Sequence, residues 1–494
     1  MSSDRDLTRV ASGVQGLDTL LRGGFFRGGL YIIEGAPGTG KTILGNQICF
    51  NQAKADNKVL YVTLIAETVG RMLLNIGQMT FFDDAAIGDS IVYISGFNAL
   101  KKDGLSGLLH LLRREVTAHR AKILVVDGFA SASDSAQSGE ELKVFVQELQ
   151  TQADAADCTV FLLTNPTEQT PSSEETMVDG IINLESCLHE ARSARDLHVR
   201  KMRGTRHLEG LHSYQIDDDG ITVYPRLETL IPEVSSDNGW THKISSGNER
   251  LDQMLGGGLP TRSVTMMVGP SGTGKTTIGL QFLSNSTKDE PGLLFGFYES
   301  PERIRSKAQA LCNSKAGVFE SGEVEIVWMS PNDQLLDDLG DQLIAAVRRR
   351  KVKRLMIDGL GGFNKAIRSR PIERFFSALV YQLRAEGVTT VCTAEVAEII
   401  GPTITTPLWG LSDVTDNHIL LRFREVGAAL HRLLSILKVR DSGFDPGLRT
   451  FSITNNGIEL AESSHDAESI LLNWYARERK IAIVSAGAVK TGDE

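Results

Sequence analysis

Cysteine is scarce in this chain, with 5 residues in 494. Cys49, Cys158, Cys187, Cys312 and Cys392 lie far apart, with no Cys-x-x-Cys and no histidine at zinc-ligand spacing. A disulfide framework is therefore not the expectation, and a reducing cytoplasm is. Long apolar runs are also missing. No stretch approaches the roughly 18 uninterrupted apolar residues of a membrane helix, and the opening MSSDRDLTRV has neither an apolar core nor a small-residue cleavage site. A soluble, unexported protein without membrane contact is expected. A basic surplus is lacking as well: 52 Lys and Arg face 62 Asp and Glu, for a formal charge of −10. That balance argues against a protein whose main task is coating nucleic acid or an anionic surface.

What is present is ordinary in all but one respect. Hydrophobic residues at 41% and charged residues at 23% fit a folded globular chain, and the length suggests two or three domains at about 100 to 200 residues each. Glycine is the exception, at 48 residues where roughly 7% usage would give about 35. Tight phosphate loops consume glycine.

Self-comparison gives part of that excess an address. Residues 12–47 match 246–281 without a gap, at an offset of 234, with 15 of 36 positions identical. Such a period is far longer than a solenoid unit, so a whole domain is duplicated. In each half an apolar segment (30–34; 264–268) leads into a glycine loop and a helical pattern. A β-rich run follows (59–65; 292–297), then an apolar strand ending in Asp (123–127; 355–358) and another strand (159–164; 389–393). Strand, loop, helix, strand is the opening of a mostly parallel α/β sheet flanked by helices. The expected domains are residues 1–237 and 238–461, joined through a polar break near 231–239, with a tail at 462–494.

Both glycine loops, GAPGTGKT at 35–42 and GPSGTGKT at 269–276, fit the P-loop pattern in full. Gly35, Gly38, Thr39 and Gly40, and likewise Gly269, Gly272, Thr273 and Gly274, let backbone N–H groups close around ATP phosphates. Lys41 or Lys275 reaches the β and γ phosphates, and Thr42 or Thr276 ligates Mg²⁺. Asp127 and Asp358, at strand ends after each loop, are candidates to hold that Mg²⁺ through water. Hydrolysis also needs a group that orients and deprotonates the attacking oxygen, and Glu67 and Glu299 stand at the mouth of the next strand.

With these residues in place the chain resembles the KaiC family of double-domain RecA-like ATPases. The resemblance rests on two copies of Ser-Gly-x-x-x-Leu-Asp (12–18; 246–252), each followed by Gly-Gly and a P-loop. It also rests on the Lys-x-Arg segments near each domain end (201–203; 438–440). It implies tandem RecA-like P-loop domains and a homohexamer of two stacked rings with ATP between neighbouring subunits. Lys201, Arg203, Lys438 and Arg440 match positions that reach the neighbour's γ-phosphate. The resemblance further implies serine/threonine autokinase activity in the second domain, in circadian-type timing or signalling, with a KaiB-like or signalling protein as partner. Two departures stand out. Ser412 fills the family's serine acceptor position, whereas Asp413 stands where threonine belongs. At each strand mouth the family carries two glutamates, and this chain has Ala66 and Tyr298 in the first position. The tail matches no family tail residue by residue, so a KaiA-type partner is not inferred.

Two other readings compete. A nucleotide-gated scaffold with little turnover would suit the missing glutamates. A RecA- or DnaB-like DNA motor would need basic mobile loops, yet residues 128–140 hold no cation and 399–410 are apolar with prolines. The run Arg348-Arg-Arg-Lys-Val-Lys-Arg354 reads as a solvated helix end.

Overall fold

The computed structural model describes residues 8–65, 69–166, 175–189, 192–230, 242–330, 334–366, 371–396, 413–426, 429–440, 442–465 and 467. The chain divides into two compact units, Met1–Thr229 and Leu230–Glu494. The boundary expected at 237/238 falls in 231–241, outside the described residues, as does the tail beyond 467.

In the first unit nine strands form one sheet: β1 (Leu30–Gly35), β2 (Val59–Thr63), β3 (Ile91–Ser95), β4 (Ile123–Asp127), β5 (Thr159–Thr164), β6 (Gly180–His189), β7 (Arg192–Met202), β8 (Leu211–Asp217) and β9 (Gly220–Tyr224). Their spatial order is β9-β8-β7-β6-β1-β5-β4-β2-β3. The run from β6 to β3 is parallel, and β7 to β9 add an antiparallel wing. In the second unit β10 (Val264–Gly269), β11 (Gly292–Gly296), β12 (Val324–Trp328), β13 (Arg354–Asp358), β14 (Thr389–Glu395), β15 (Asn417–Val426), β16 (Ala429–Val439), β17 (Arg449–Thr454) and β18 (Gly457–Leu460) repeat that order, strand for strand. These are the two mostly parallel, helix-flanked sheets of tandem RecA-like domains. The inner parallel strands are largely apolar because helices cover both faces; β1, β2 and β4 are buried at every residue.

The repeated motif residues have mechanical tasks. Asp18 accepts from the N–H groups of Ser12 at 2.7 Å and Gly13 at 3.0 Å, and Asp252 accepts from Ser246 N–H at 2.7 Å. Each closes the turn that precedes a short helix. Gly24 and Gly258 have φ of +99° and +115°, and a Cβ there would stand 2.3 Å from the Val10 carbonyl or 2.5 Å from that of Ile244. Only glycine lets these turns press against the preceding strand. Gln47, on the helix α1 (Lys41–Lys54), exchanges hydrogen bonds with the backbone of Ile221. Its repeat Gln281, on α2 (Lys275–Leu283), accepts from Ile458 N–H and donates to Asn456 O. The antiparallel wing is thereby pinned to the loop helix in both domains.

One basic residue departs from expectation. Arg348, Arg349 and Arg350 do end a helix, Leu336–Arg350, but Arg354 is buried within β13. It donates to Ser245 O at 2.9 Å, pairs with Glu290 at 3.3 Å and lies over the Phe282 ring. The run is thus partly core. Among the described residues no helix is long and apolar enough to cross a membrane.

Candidate nucleotide-binding sites

Each P-loop leaves the carboxyl end of the central strand of its sheet, β1 or β10, and delivers the chain into α1 or α2. Gly40 (φ 93°) and Gly274 (φ 102°) cap those helices in the left-handed region, which turns the first helical N–H groups toward the loop. Lys41 Nζ lies across the loop, donating to Gly35 O at 2.5 Å and Ala36 O at 3.1 Å. Lys275 Nζ does the same to Gly269 O and Pro270 O, both at 2.7 Å. Burial pushes both ammonium groups below their ordinary pKa, against the pull of Asp127 on one and of Glu395 and Asp358 on the other. A desolvated cation on a glycine loop is a group that gains from an anion beside it.

The loop threonines meet the strand-end aspartates. Thr42 Oγ1 donates to Asp127 Oδ2 at 2.9 Å, and Thr276 Oγ1 to Asp358 Oδ2 at 3.1 Å. A hydroxyl and a carboxylate side by side at the foot of a phosphate loop are hard oxygen donors of the kind Mg²⁺ accepts when it also keeps waters and phosphates. The residues present therefore fit the Mg–ATP pair that the loops imply. Neither aspartate was expected to have a second hydroxyl, and each has one. Tyr61 OH donates to Asp127 Oδ2 at 2.8 Å, whereas Thr393 Oγ1 donates to Asp358 Oδ1 at 2.7 Å. Burial raises the pKa of Asp358, partly offset by its bonds from Thr393 and Thr276. Burial and the nearby Asp127 carboxylate raise that of Tyr61, so it stays a donor.

The second site opens as a cavity of about 580 Å³ whose walls include Lys275, Thr276, Tyr298, Glu299, Asp358 and Glu395. Glu299 precedes Ser300, which caps the helix Pro301–Leu311. It is ion-paired to Lys307, with Arg303 at 3.8 Å. Tyr298 packs its ring against Gly359 and lies under Lys365 Nζ, 5.1 Å from the ring centroid. Ala66 and Glu67, the matching pair of the first domain, lie outside the described residues, as does Ser412.

The cation pairs stand elsewhere on their own domains. Lys201 Nζ donates to Glu175 O at 2.7 Å and Arg203 to Thr176 O at 2.7 Å. Lys438 Nζ donates to Thr415 O at 3.0 Å and Arg440 to Asp413 O at 3.2 Å. By register Lys201 pairs with Ile181, which pairs with Ile32. It is therefore three residues short of Gly35 and two strands across, which is roughly 10 Å in each direction. Lys438, through His418 and Met266, stands in the same relation to Gly269. Neither pair lies beside the loop of its own domain.

Beside Lys201 the first domain holds an arrangement the sequence reading missed. Arg200 pairs with Glu34 at 2.5 Å and with Glu175 at 3.1 Å, and both carboxylates are almost fully buried. Alternation along β1 puts Glu34 on one face of the sheet, but nothing in the spacing named Arg200 as its partner.

Two helix-flanked parallel sheets, each with a P-loop, a loop threonine and a strand-end aspartate, define a tandem P-loop nucleotide-binding protein of RecA-like architecture. Its family is KaiC: the profile of the ATPase family KaiC matches residues 10–228 and again 244–465, and the chain belongs to that family. Among curated proteins it is 24% identical over 485 residues to a circadian clock oscillator protein KaiC of Parathermosynechococcus lividus, covering 95% of this chain and 88% of the relative. It is 23% identical to that of Acaryochloris marina, covering 94% and 91%. It is 24% identical to that of Synechococcus elongatus, covering 95% and 92%.

Proposed function

We propose that this protein binds and hydrolyses Mg-ATP at both P-loops, with each site completed by a neighbouring copy in a homohexamer, and that it works as a timing or signalling component. The observation that carries the reading is the separation within each domain. The phosphate loop leaves one end of the sheet, and the Lys-x-Arg pair sits roughly 10 Å along and roughly 10 Å across from it. A lysine side chain spans only about 6 Å, so these cations serve a phosphate only if another subunit brings one.

In this reading Gly35 to Thr42, and Gly269 to Thr276, wrap the triphosphate with backbone N–H groups. Lys41 and Lys275 leave their loop carbonyls for the phosphates. Thr42 with Asp127, and Thr276 with Asp358, would hold Mg²⁺, which supplies charge neutralisation across the β and γ phosphates. Glu67 and Glu299 orient the attacking water and take its proton. Lys201 with Arg203, and Lys438 with Arg440, stabilise charge on the transferring phosphoryl group of the adjoining subunit. In the second domain Ser412 is an alternative acceptor to water, and Asp413 places a fixed negative charge beside it.

Size-exclusion chromatography with light scattering, with and without Mg-ATP, tests the assembly. A nucleotide-dependent hexamer is expected, and a persistent monomer would remove the role given to the four cations. Mass spectrometry after incubation with Mg-ATP tests the kinase part, which is lost if hydrolysis proceeds and Ser412 carries no phosphate.

A further inference from the structure

Glu299 is held in an unusual way. Ser300 and Pro301 start the helix Pro301–Leu311 directly after it, and side chains on a helix lean toward its N-terminus. Lys307, two turns along, therefore reaches back, and its Nζ donates to Glu299 Oε1. Glu299 Oε2 is buried and accepts no hydrogen bond among the described residues. Arg303 Nε, 3.8 Å from it, is too distant for one. Lys307 and Glu299 line the same cavity as Lys275, Thr276 and Asp358. One carboxylate oxygen of this cavity-lining residue is thus anchored while the other has no donor among the described residues. At the same spacing from Glu67 the first domain has Asn75, which carries no charge.

We propose that Lys307 is a positioning residue for Glu299, anchoring Oε1 so that Oε2 accepts from the water that attacks ATP in the second domain. The inference rests on the reading of Glu299 as the water-orienting group. In that step the water oxygen forms a bond to the γ-phosphorus, the bond from γ-phosphorus to the bridging oxygen breaks, ADP leaves, and the water proton passes to Oε2. A carboxylate turning freely about its side-chain torsions would spend most of its time misdirected.

The test uses the full chain carrying Lys41→Ala, so that steady-state ATP hydrolysis reports the second domain. Lys307→Met keeps the aliphatic stem and removes the ammonium. It is expected to lower kcat about tenfold with KM within about twofold, and Lys307→Arg to restore most of the loss. In a Glu299→Gln background Lys307→Met should cost nothing further. An unchanged kcat, a raised KM at full kcat (the mark of a lysine that binds phosphate instead), or an equal loss in the Glu299→Gln background overturns the proposal. Undiminished turnover of Glu299→Gln alone overturns the reading of Glu299 itself and the proposal with it.

Discussion

The two domains share a strand order and differ in what surrounds the shared parts. Asp127 and Asp358 each receive the loop threonine and one further hydroxyl, but from opposite sides. In the first domain it comes from Tyr61 on β2, while β5 offers Leu163 beside Asp127. In the second it comes from Thr393 on β14, while β11 places Leu294 at the position of Tyr61. The requirement conserved between the halves is a second donor to a buried carboxylate, not a particular residue. A further contrast lies two strands away. Arg200, Glu34 and Glu175 form a buried charged cluster in the first domain; by register the second has Leu437 and Val268 in the first two places, and Ser412, at the sequence spacing of Glu175, lies outside the described residues. Duplication kept the loop, whose backbone geometry admits little else, and let the supporting layer drift by compensated exchange.

The largest expected effect follows from that cluster. Arg200→Leu would leave Glu34 and Glu175 buried without a cation, at a cost of about 3 kcal/mol, the low end for a broken buried pair because the arginine is a quarter exposed. Chemical denaturation followed through the first domain measures it. Installing the second domain's whole set, Arg200→Leu with Glu34→Val and Glu175→Ser, should return most of the loss. If the triple variant is as unstable as the single, the two domains are not alternative solutions to one packing problem.

Next come the loop lysines. Lys41→Ala and Lys275→Ala should each reduce kcat/KM of the domain concerned by at least about a hundredfold, because the removed ammonium has no substitute at the phosphates. Measuring ATP turnover of each single variant apportions the wild-type rate between the domains. Equal residual rates would contradict the functional asymmetry suggested by Lys307 and Asn75.

Smaller still are the aspartate hydroxyls. Tyr61→Phe and Thr393→Val should each cost about 1.5 to 3 kcal/mol, the range for a hydrogen bond to a charged group. Thermal denaturation with and without Mg²⁺ reads this out. Transplanting the donor to the other strand, Tyr61→Leu with Leu163→Thr, should recover part of it, and failure to recover would show that β2 and β5 are not interchangeable as donors.

Much of this was legible in the sequence, and the parts that were not share a cause. The loops, the threonines, the strand-end aspartates and the alternation of strand and helix are local patterns, fixed by backbone demands within a few residues. The register that brings Tyr61 to Asp127 or Arg200 to Glu34 joins segments 66 and 166 residues apart, and no period in the sequence encodes it. Arg354 was misread for the same reason, since its partners Ser245 and Glu290 come from distant turns. Lys307 is the intermediate case. Its spacing from Glu299 across a Ser-Pro helix start is readable, but only once the helix and its cap are known.

The smallest expected effect concerns one bulge. Both β6 and β15 shift register at the same place, between Ile181 and Ile182 and between His418 and Ile419, so His418 stands where the first domain has an isoleucine. Its Nε2 lies 2.6 Å from Thr415 Oγ1, and burial together with Lys438 lowers its pKa below the ordinary 6.5. A histidine held neutral by folding contributes stability that is complete above the unfolded pKa. As pH falls below about 6.5 the unfolded chain takes up the proton first, so stability declines until the lower folded value is passed. His418 should therefore cost the second domain stability as pH falls below about 6.5, and His418→Ile, the first domain's residue, should remove that part of the loss. Denaturation midpoints across this range decide it: an unchanged slope in His418→Ile would mean that the acid sensitivity, if present, arises elsewhere in the second domain.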